Sequence, residues 1–173
     1  MGTDQIPSNV VRIVRALKHF DDAGVAQIAY YQRGVGTDSD WEDKVVGGFT
    51  GNDVSEHIRE AYGFLANNFN PESQKELQFG TGSVDEIVVL GFSRGAFTAR
   101  AIASLISDVG LLTKLGMEYF WGIVEDWKGQ DIAGHKSQWF QKQFPHIGNV
   151  PFTDPRYRQA LIDVCQETLE TWS

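Results

Sequence analysis

An α/β architecture is what the sequence predicts: a parallel sheet with flanking helices, followed by a helical C-terminal region. Three observations carry that expectation. Strand-like and helix-like apolar periods alternate through the first two thirds of the chain, the pattern of a parallel sheet covered on both faces. The apolar run Ile87-Val88-Val89-Leu90 leads directly into Gly91-Phe92-Ser93-Arg94-Gly95 and then an alanine-rich helical stretch. Residues 117–147 carry aromatics (Tyr119, Phe120, Trp121, Trp127, Trp139, Phe140, Phe144) with no clean strand among them.

Taken in order, Ser8 or Asn9 caps a first helix whose apolar positions Val10, Ile13, Val14 and Leu17 follow helical spacing. Asp21-Asp22-Ala23-Gly24 ends it, and 26–31 reads as a strand running into the loop Gly34-Val35-Gly36-Thr37. Residues 38–52 lack periodicity. Asp53 and Glu56 have the spacing of a capping box for a second helix, with Val54, Ile58, Tyr62, Leu65 and Phe69 on one face. Asn70-Pro71 stops it, and a polar linker leads to the strand at 84–90. The helix after Gly95 runs to about Ser107 and leaves through Val109-Gly110-Leu111-Leu112. Asp154-Pro155 starts a last helix, because proline suits the first helical position. Two strands are too few for an independent sheet of this kind. The chain therefore reads as one incomplete domain over 1–173, with 113–173 a helical segment whose aromatic stretch 117–144 is partly uncovered.

Composition narrows the function classes. With 42% hydrophobic and 22% charged residues, the chain is ordinary for a soluble globular protein. A formal net charge of −8 argues against a nucleic-acid partner, since phosphate binding needs a basic patch. Cys165 is the single cysteine, which excludes an internal disulfide and a cysteine-built zinc cluster. No apolar run has transmembrane length, and MGTDQIPSN lacks the basic and apolar regions of a secretory signal. Neither a metal nor an organic cofactor is indicated, and compartment is left open.

Strand, then G-x-S-x-G, then helix is the context of a nucleophile elbow. On that reading a Cβ at either Gly91 or Gly95 collides with its surroundings, and the turn presents the Ser93 hydroxyl at the C-terminal edge of the sheet. The Arg94 backbone N–H, at the helix start, then faces a developing oxyanion. The plainer alternative is a strand-to-helix turn whose serine caps the helix. The Arg94 side chain suits either an anionic head group or an acidic loop. Gly34, Gly36 and Thr37 are candidates to supply backbone N–H groups to the site or to cradle a phosphate, and equally form a plain turn. A serine hydrolase also needs a histidine and a carboxylate downstream. His135 and His146, with Asp108, Asp126 and Asp131, stand in the right order, but none follows a recognisable strand. His135 reads as a solvated loop residue, and acid and base stay unassigned.

These motifs together resemble the DUF2235 family, which includes the Tle1-type phospholipase effectors of type VI secretion. The resemblance rests on Ser8-Asn9-Val10-Val11-Arg12, Tyr30-Tyr31-Gln32-Arg33-Gly34-Val35-Gly36-Thr37, Ile58-Arg59-Glu60-Ala61-Tyr62-Gly63-Phe64-Leu65 and, most specifically, Gly91-Phe92-Ser93-Arg94-Gly95-Ala96-Phe97-Thr98-Ala99-Arg100. They occur in the family's order across roughly residues 2–112. The resemblance implies an α/β-hydrolase core and serine-dependent hydrolysis of a small-molecule or lipid ester through Ser93. Relative to the family, the opening strand and the later strand and histidine are missing. That favours a fragment, and a non-catalytic remnant is the main rival; a phosphate- or nucleotide-binding module is a weaker one.

Overall fold

The computed structural model describes residues 8–32, 52–69, 85–164 and 169–170. Helices dominate it, and each begins or ends for a local reason. Helix α1 (Asn9–Ala16) is capped by Ser8, whose hydroxyl accepts from the Val11 N–H at 3.4 Å. A tight turn follows in which the Asp21 carboxylate accepts from the N–H groups of Ala23 (2.9 Å) and Val25 (2.7 Å). Helix α2 (Asn52–Asn68) starts one residue before the expected cap, so Asp53 lies inside it. The expected stop at Asn70-Pro71 lies outside the described residues. Helix α3 (Arg94–Val109) follows Ser93 directly. Gly110, at φ 90°, closes it by donating its N–H to the Ile106 carbonyl.

After α3 come strand β1 (Leu111–Leu112), a 3₁₀ turn (Gly116–Tyr119) and helices α4 (Phe120–Gly129), α5 (Gln138–Gln143) and α6 (Pro155–Val164). Pro155 is the first residue of α6, as expected. Asp154 accepts from the Arg156 backbone N–H at 2.9 Å and pairs with its guanidinium at 2.7 Å. The chain ends its described part in β2 (Leu169–Glu170), which pairs antiparallel with β1, Leu111 opposite Glu170 and Leu112 opposite Leu169.

The expected parallel sheet is not found among the described residues. Their only ladder is β1–β2; Ala26 makes one isolated bridge, to Phe20, and Asp85–Leu90 makes none. The physical reason is pairing. Apolar β-type residues define a strand only when a neighbour takes their N–H and C=O groups, and two candidate strands do not make a sheet.

The chain divides into two compact units, Met1–Ala61 with Asn70–Ala101, and Tyr62–Phe69 with Ile102–Ser173. The first buries Ile58 and Ala101 but leaves Ile28 (65% exposed), Val88 (76%) and Phe92 (76%) open. The second holds the larger core. Leu105, Leu111, Phe120, Ile123, Phe140 and Tyr157 are all at most 2% exposed. Phe140 stacks on Tyr157 at 4.2 Å and tilts against Phe144 at 4.7 Å, while Tyr62 packs on Phe120 at 5.3 Å. The stretch 117–144 is thus a core of its own rather than an uncovered face, with Trp121 its most open ring. Tyr62 ties this core together: its hydroxyl donates to the Gly110 carbonyl at 2.6 Å and accepts from the Leu112 N–H at 3.0 Å.

Candidate functional site

Ser93 lies between the apolar run Ile87–Leu90 and α3, with φ 52°. It is the one non-glycine residue among those described to adopt positive φ. A β-carbon there crowds the following carbonyl and costs about 1–2 kcal/mol, so the surrounding structure must hold the residue in place. Two bonds do so: the Gly95 N–H donates to the Phe92 carbonyl and the Ala96 N–H to the Ser93 carbonyl, both at 2.9 Å. The turn folds the helix start onto Gly91. A β-carbon at Gly91 would sit 2.2 Å from the Gly95 carbonyl oxygen and 2.6 Å from the Ala96 α-carbon. Those are backbone atoms and cannot swing away, so crowding demands glycine at this position. At Gly95 the expectation is corrected: a β-carbon there meets nothing within 4 Å among the described residues. The two glycines of the motif therefore differ in kind.

Ser93 is exposed, and Phe92 beside it is open to solvent. The serine precedes the first turn of a 16-residue helix, whose leading N–H groups lack helical partners and carry the positive end of the dipole. Arg94 supplies the first of them. The Arg94 side chain, with its two expected readings, lies outside the described residues, as do Gly34, Gly36 and Thr37. The segment leading toward that loop is described. Gln32 Nε2 donates to Glu60 Oε2 at 2.9 Å and to the His57 main-chain carbonyl at 3.2 Å. Burial first, then the Glu60 carboxylate to which it is hydrogen-bonded, pushes the Tyr30 phenol above its ordinary value.

Histidines and carboxylates group differently from the sequence expectation. His135 is not a solvated loop residue. Its Nε2 lies 3.3 Å from Asp126 Oδ1, and its ring rests against Gly129. Asp126, 3% exposed, also accepts from Ser137 Oγ and from the Tyr157 hydroxyl, each at 2.6 Å. Ser137 Oγ in turn caps α5 by accepting from the Phe140 N–H at 2.8 Å. A buried carboxylate survives only when its oxygens are filled with donors, and this one is. Burial, then the hydrogen bond and charge of Asp126, drives the Tyr157 phenol far above its ordinary range. Asp108 accepts from Trp127 Nε1 at 2.7 Å. His146, His19 and Asp131 are exposed, and His57 Nδ1 is buried with no hydrogen-bond partner among the described residues.

The sequence reading missed this Asp126 cluster. Its one available signal is that Asp126 sits among Ile123, Val124 and Trp127, where a solvated carboxylate is out of place. Among the described residues no group of three or more His, Cys, Asp or Glu side chains is placed to hold a metal ion. No helix among them is long and apolar enough to cross a membrane.

Comparison with known proteins adds a family. The model for the catalytic domain of Tle1-like phospholipase effectors of the type VI secretion system matches residues 1–164. Among curated proteins, the uncharacterized protein YEL023C of Saccharomyces cerevisiae is similar at 32% identity, over 70% of this chain and 18% of that protein. The chain thus spans under a fifth of the length of the relative it matches. No solved structure matches.

Proposed function

The chain belongs to the family of Tle1-like phospholipase effector catalytic domains, and on that premise we propose that Ser93 is the nucleophile of a lipid-ester hydrolase. The observation that carries the reading is the positive φ of Ser93 between Gly91 and the start of α3. A serine that only caps a helix takes extended backbone angles and has no need of the strain. A nucleophile does: the strained turn lifts Oγ clear of both flanking elements at the helix N-terminus.

In the reaction, Ser93 Oγ attacks the ester carbonyl carbon and its proton passes to a general base. The carbonyl oxygen, now an oxyanion, is met by the Arg94 backbone N–H and the positive end of the α3 dipole. Collapse expels the alcohol and leaves an acyl-Ser93, which water hydrolyses. Gly34, Gly36 and Thr37 are proposed to line the substrate side. The α/β-hydrolase sheet implied by the family belongs to this proposal, with Ile87–Leu90 as the strand ahead of the nucleophile. Val88, Val89 and Leu90 are successive and all open, which fits a strand made to be covered on both faces. No residue is assigned as acid or base.

The test is covalent labelling. A fluorophosphonate should modify the purified chain at Ser93, the Ser93→Ala variant should not be modified, and hydrolysis of a phospholipid or short-chain ester should disappear with it. A folded chain that is neither labelled nor active would return the rival, a non-catalytic member of the family.

A further inference from the structure

Helix α1 gathers Val10, Ile13, Val14 and the capping Leu17 into one apolar stripe, yet none of its eight residues is buried. Ile13 and Leu17 are each 45% exposed, and Phe20, just past the helix, is 59% exposed. Phe20 is fixed by its bridge to Ala26, beside the bond that the Gln27 N–H donates to the His19 carbonyl at 2.8 Å. Two turns of helix are marginal in water, and an amphipathic helix ordinarily draws its stability from the face it packs. Here that face is open. Arg12 and Arg15 are exposed on the same helix, and neither makes an ion pair among the described residues. Lys18 pairs with Asp22 at 2.8 Å, but both side chains are largely exposed, so the pair is weak. Residues 8–20 hold Arg12, Arg15 and Lys18 and no acidic residue, in a chain whose net charge is −8.

We propose that α1 and the turn after it dock on an anionic phospholipid surface, with Ile13, Leu17 and Phe20 entering the acyl boundary and Arg12 and Arg15 meeting headgroup phosphates. A basic amphipathic helix suits that place: its apolar stripe sinks, and long guanidinium stems reach back to the headgroup layer. At eight residues α1 is far short of a span, so it lies in the interface. Charge complementarity selects the occupant. The chain as a whole is repelled by an anionic surface, so the cationic segment is the part that approaches, and the apolar side chains it carries are the ones that insert. Nucleic acid would satisfy the guanidiniums but offers no apolar layer to Ile13, Leu17 and Phe20. A folded partner would have to match their shape, whereas a fluid bilayer moulds itself to side chains presented by a helix and a turn. Docking of this kind is independent of what Ser93 does.

The experiment is vesicle co-sedimentation of the full chain carrying Ser93→Ala, so that no lipid is consumed. Vesicles are phosphatidylcholine alone or phosphatidylcholine mixed with phosphatidylglycerol, at low and at high salt; Tm and sedimentation velocity report folding and oligomeric state. Binding should favour the mixed vesicles and fall as salt screens the charges. Arg12→Gln/Arg15→Gln should weaken it about 20-fold, since each cation near an anionic surface contributes about fivefold. Ile13→Ser/Leu17→Ser should weaken it by about 10-fold or more, and Phe20→Ser, outside the helix, decides in its place if that pair does not fold. No sedimentation with either vesicle, binding indifferent to the arginine pair, or binding indifferent to the apolar variants would overturn the proposal. So would a dimer that Ile13→Ser/Leu17→Ser dissociates in the absence of vesicle binding, which would assign the face to a second copy of the chain. The expected binding pattern in a chain whose Ser93 does not label would sink the nucleophile reading and leave the docking surface standing.

Discussion

Replacing each motif glycine by alanine separates the two roles that the G-x-S-x-G pattern conflates. In Gly91→Ala the new methyl starts 2.2 Å from the Gly95 carbonyl oxygen, 2.5 Å from its carbon and 2.6 Å from the Ala96 α-carbon. Carbon–oxygen contacts settle near 3.3 Å, so the helix start must retreat by about 1 Å. Overpacking of this kind costs about 1–3 kcal/mol. The same retreat moves the Arg94 N–H relative to Ser93 Oγ, which for a reacting pair is worth about 10²-fold in rate. In Gly95→Ala the methyl meets nothing within 4 Å among the described residues, and the backbone there is helical. Alanine should then stabilise the first turn of α3 by up to about 1 kcal/mol through helix propensity. Urea unfolding of the two variants gives the stabilities, and the fluorophosphonate labelling rate gives the chemistry. Gly91→Ala should lose on both measures; Gly95→Ala should gain slightly in stability and label near the wild-type rate. Equal behaviour of the two variants, in either direction, would refute the reading of this turn.

Ser93→Gly should be more stable than wild type by about 1 kcal/mol, because glycine adopts φ 52° without strain, whereas Ser93→Ala should show no such gain; both should lose labelling. Asp126→Ala leaves the Ser137 and Tyr157 hydroxyls without their acceptor and should cost about 3 kcal/mol or more in urea unfolding, while Tyr157→Phe should cost about 2 kcal/mol. A loss below about 1 kcal/mol for Asp126→Ala would mean the cluster does not hold the second core. Alkaline stability should fall steeply. Burial first raises the Tyr62 phenol well above its ordinary value, and Tyr157 is raised likewise, so above about pH 10 the unfolded chain releases protons that the folded one keeps. Stability contributed by each is full below the unfolded value of about 10 and is lost at about 1.4 kcal/mol per pH unit as pH rises above it. Tyr62→Phe should remove one such increment from the slope of unfolding free energy against pH, and an unchanged slope would count against the buried phenol.

What could be read from the sequence divides by the reach of the interactions involved. The turn at Ser93, the Ser8 cap and the Asp154-Pro155 start of α6 are each made within about a helical turn of chain, so residue type and spacing suffice to foresee them. The Asp126 cluster is different. Its donors come from 9, 11 and 31 residues away, and whether an aspartate is buried depends on which helices enclose it. The aromatic stretch, expected to be partly uncovered, is mostly enclosed for the same reason, with Trp121 its exposed ring. Its rings close on Tyr62 and Tyr157, one before it in the chain and one after, and neither is visible in a local window. A strand is the extreme case, since Ile87–Leu90 has the composition of one but its definition lies in a partner's backbone. The Ser93 turn keeps its form whatever pairs with the run before it, because the bonds that close it come from Gly95 and Ala96, on its own helix. The geometry of the nucleophile is therefore a local property of the turn from Gly91 to Ala96, whereas its acid and base must be delivered by the fold. Attack by Ser93 Oγ needs the general base as well as the oxyanion geometry, so labelling at Ser93 tests the local turn and the fold's delivery of the base together, and turnover adds the base-assisted release of the acyl group.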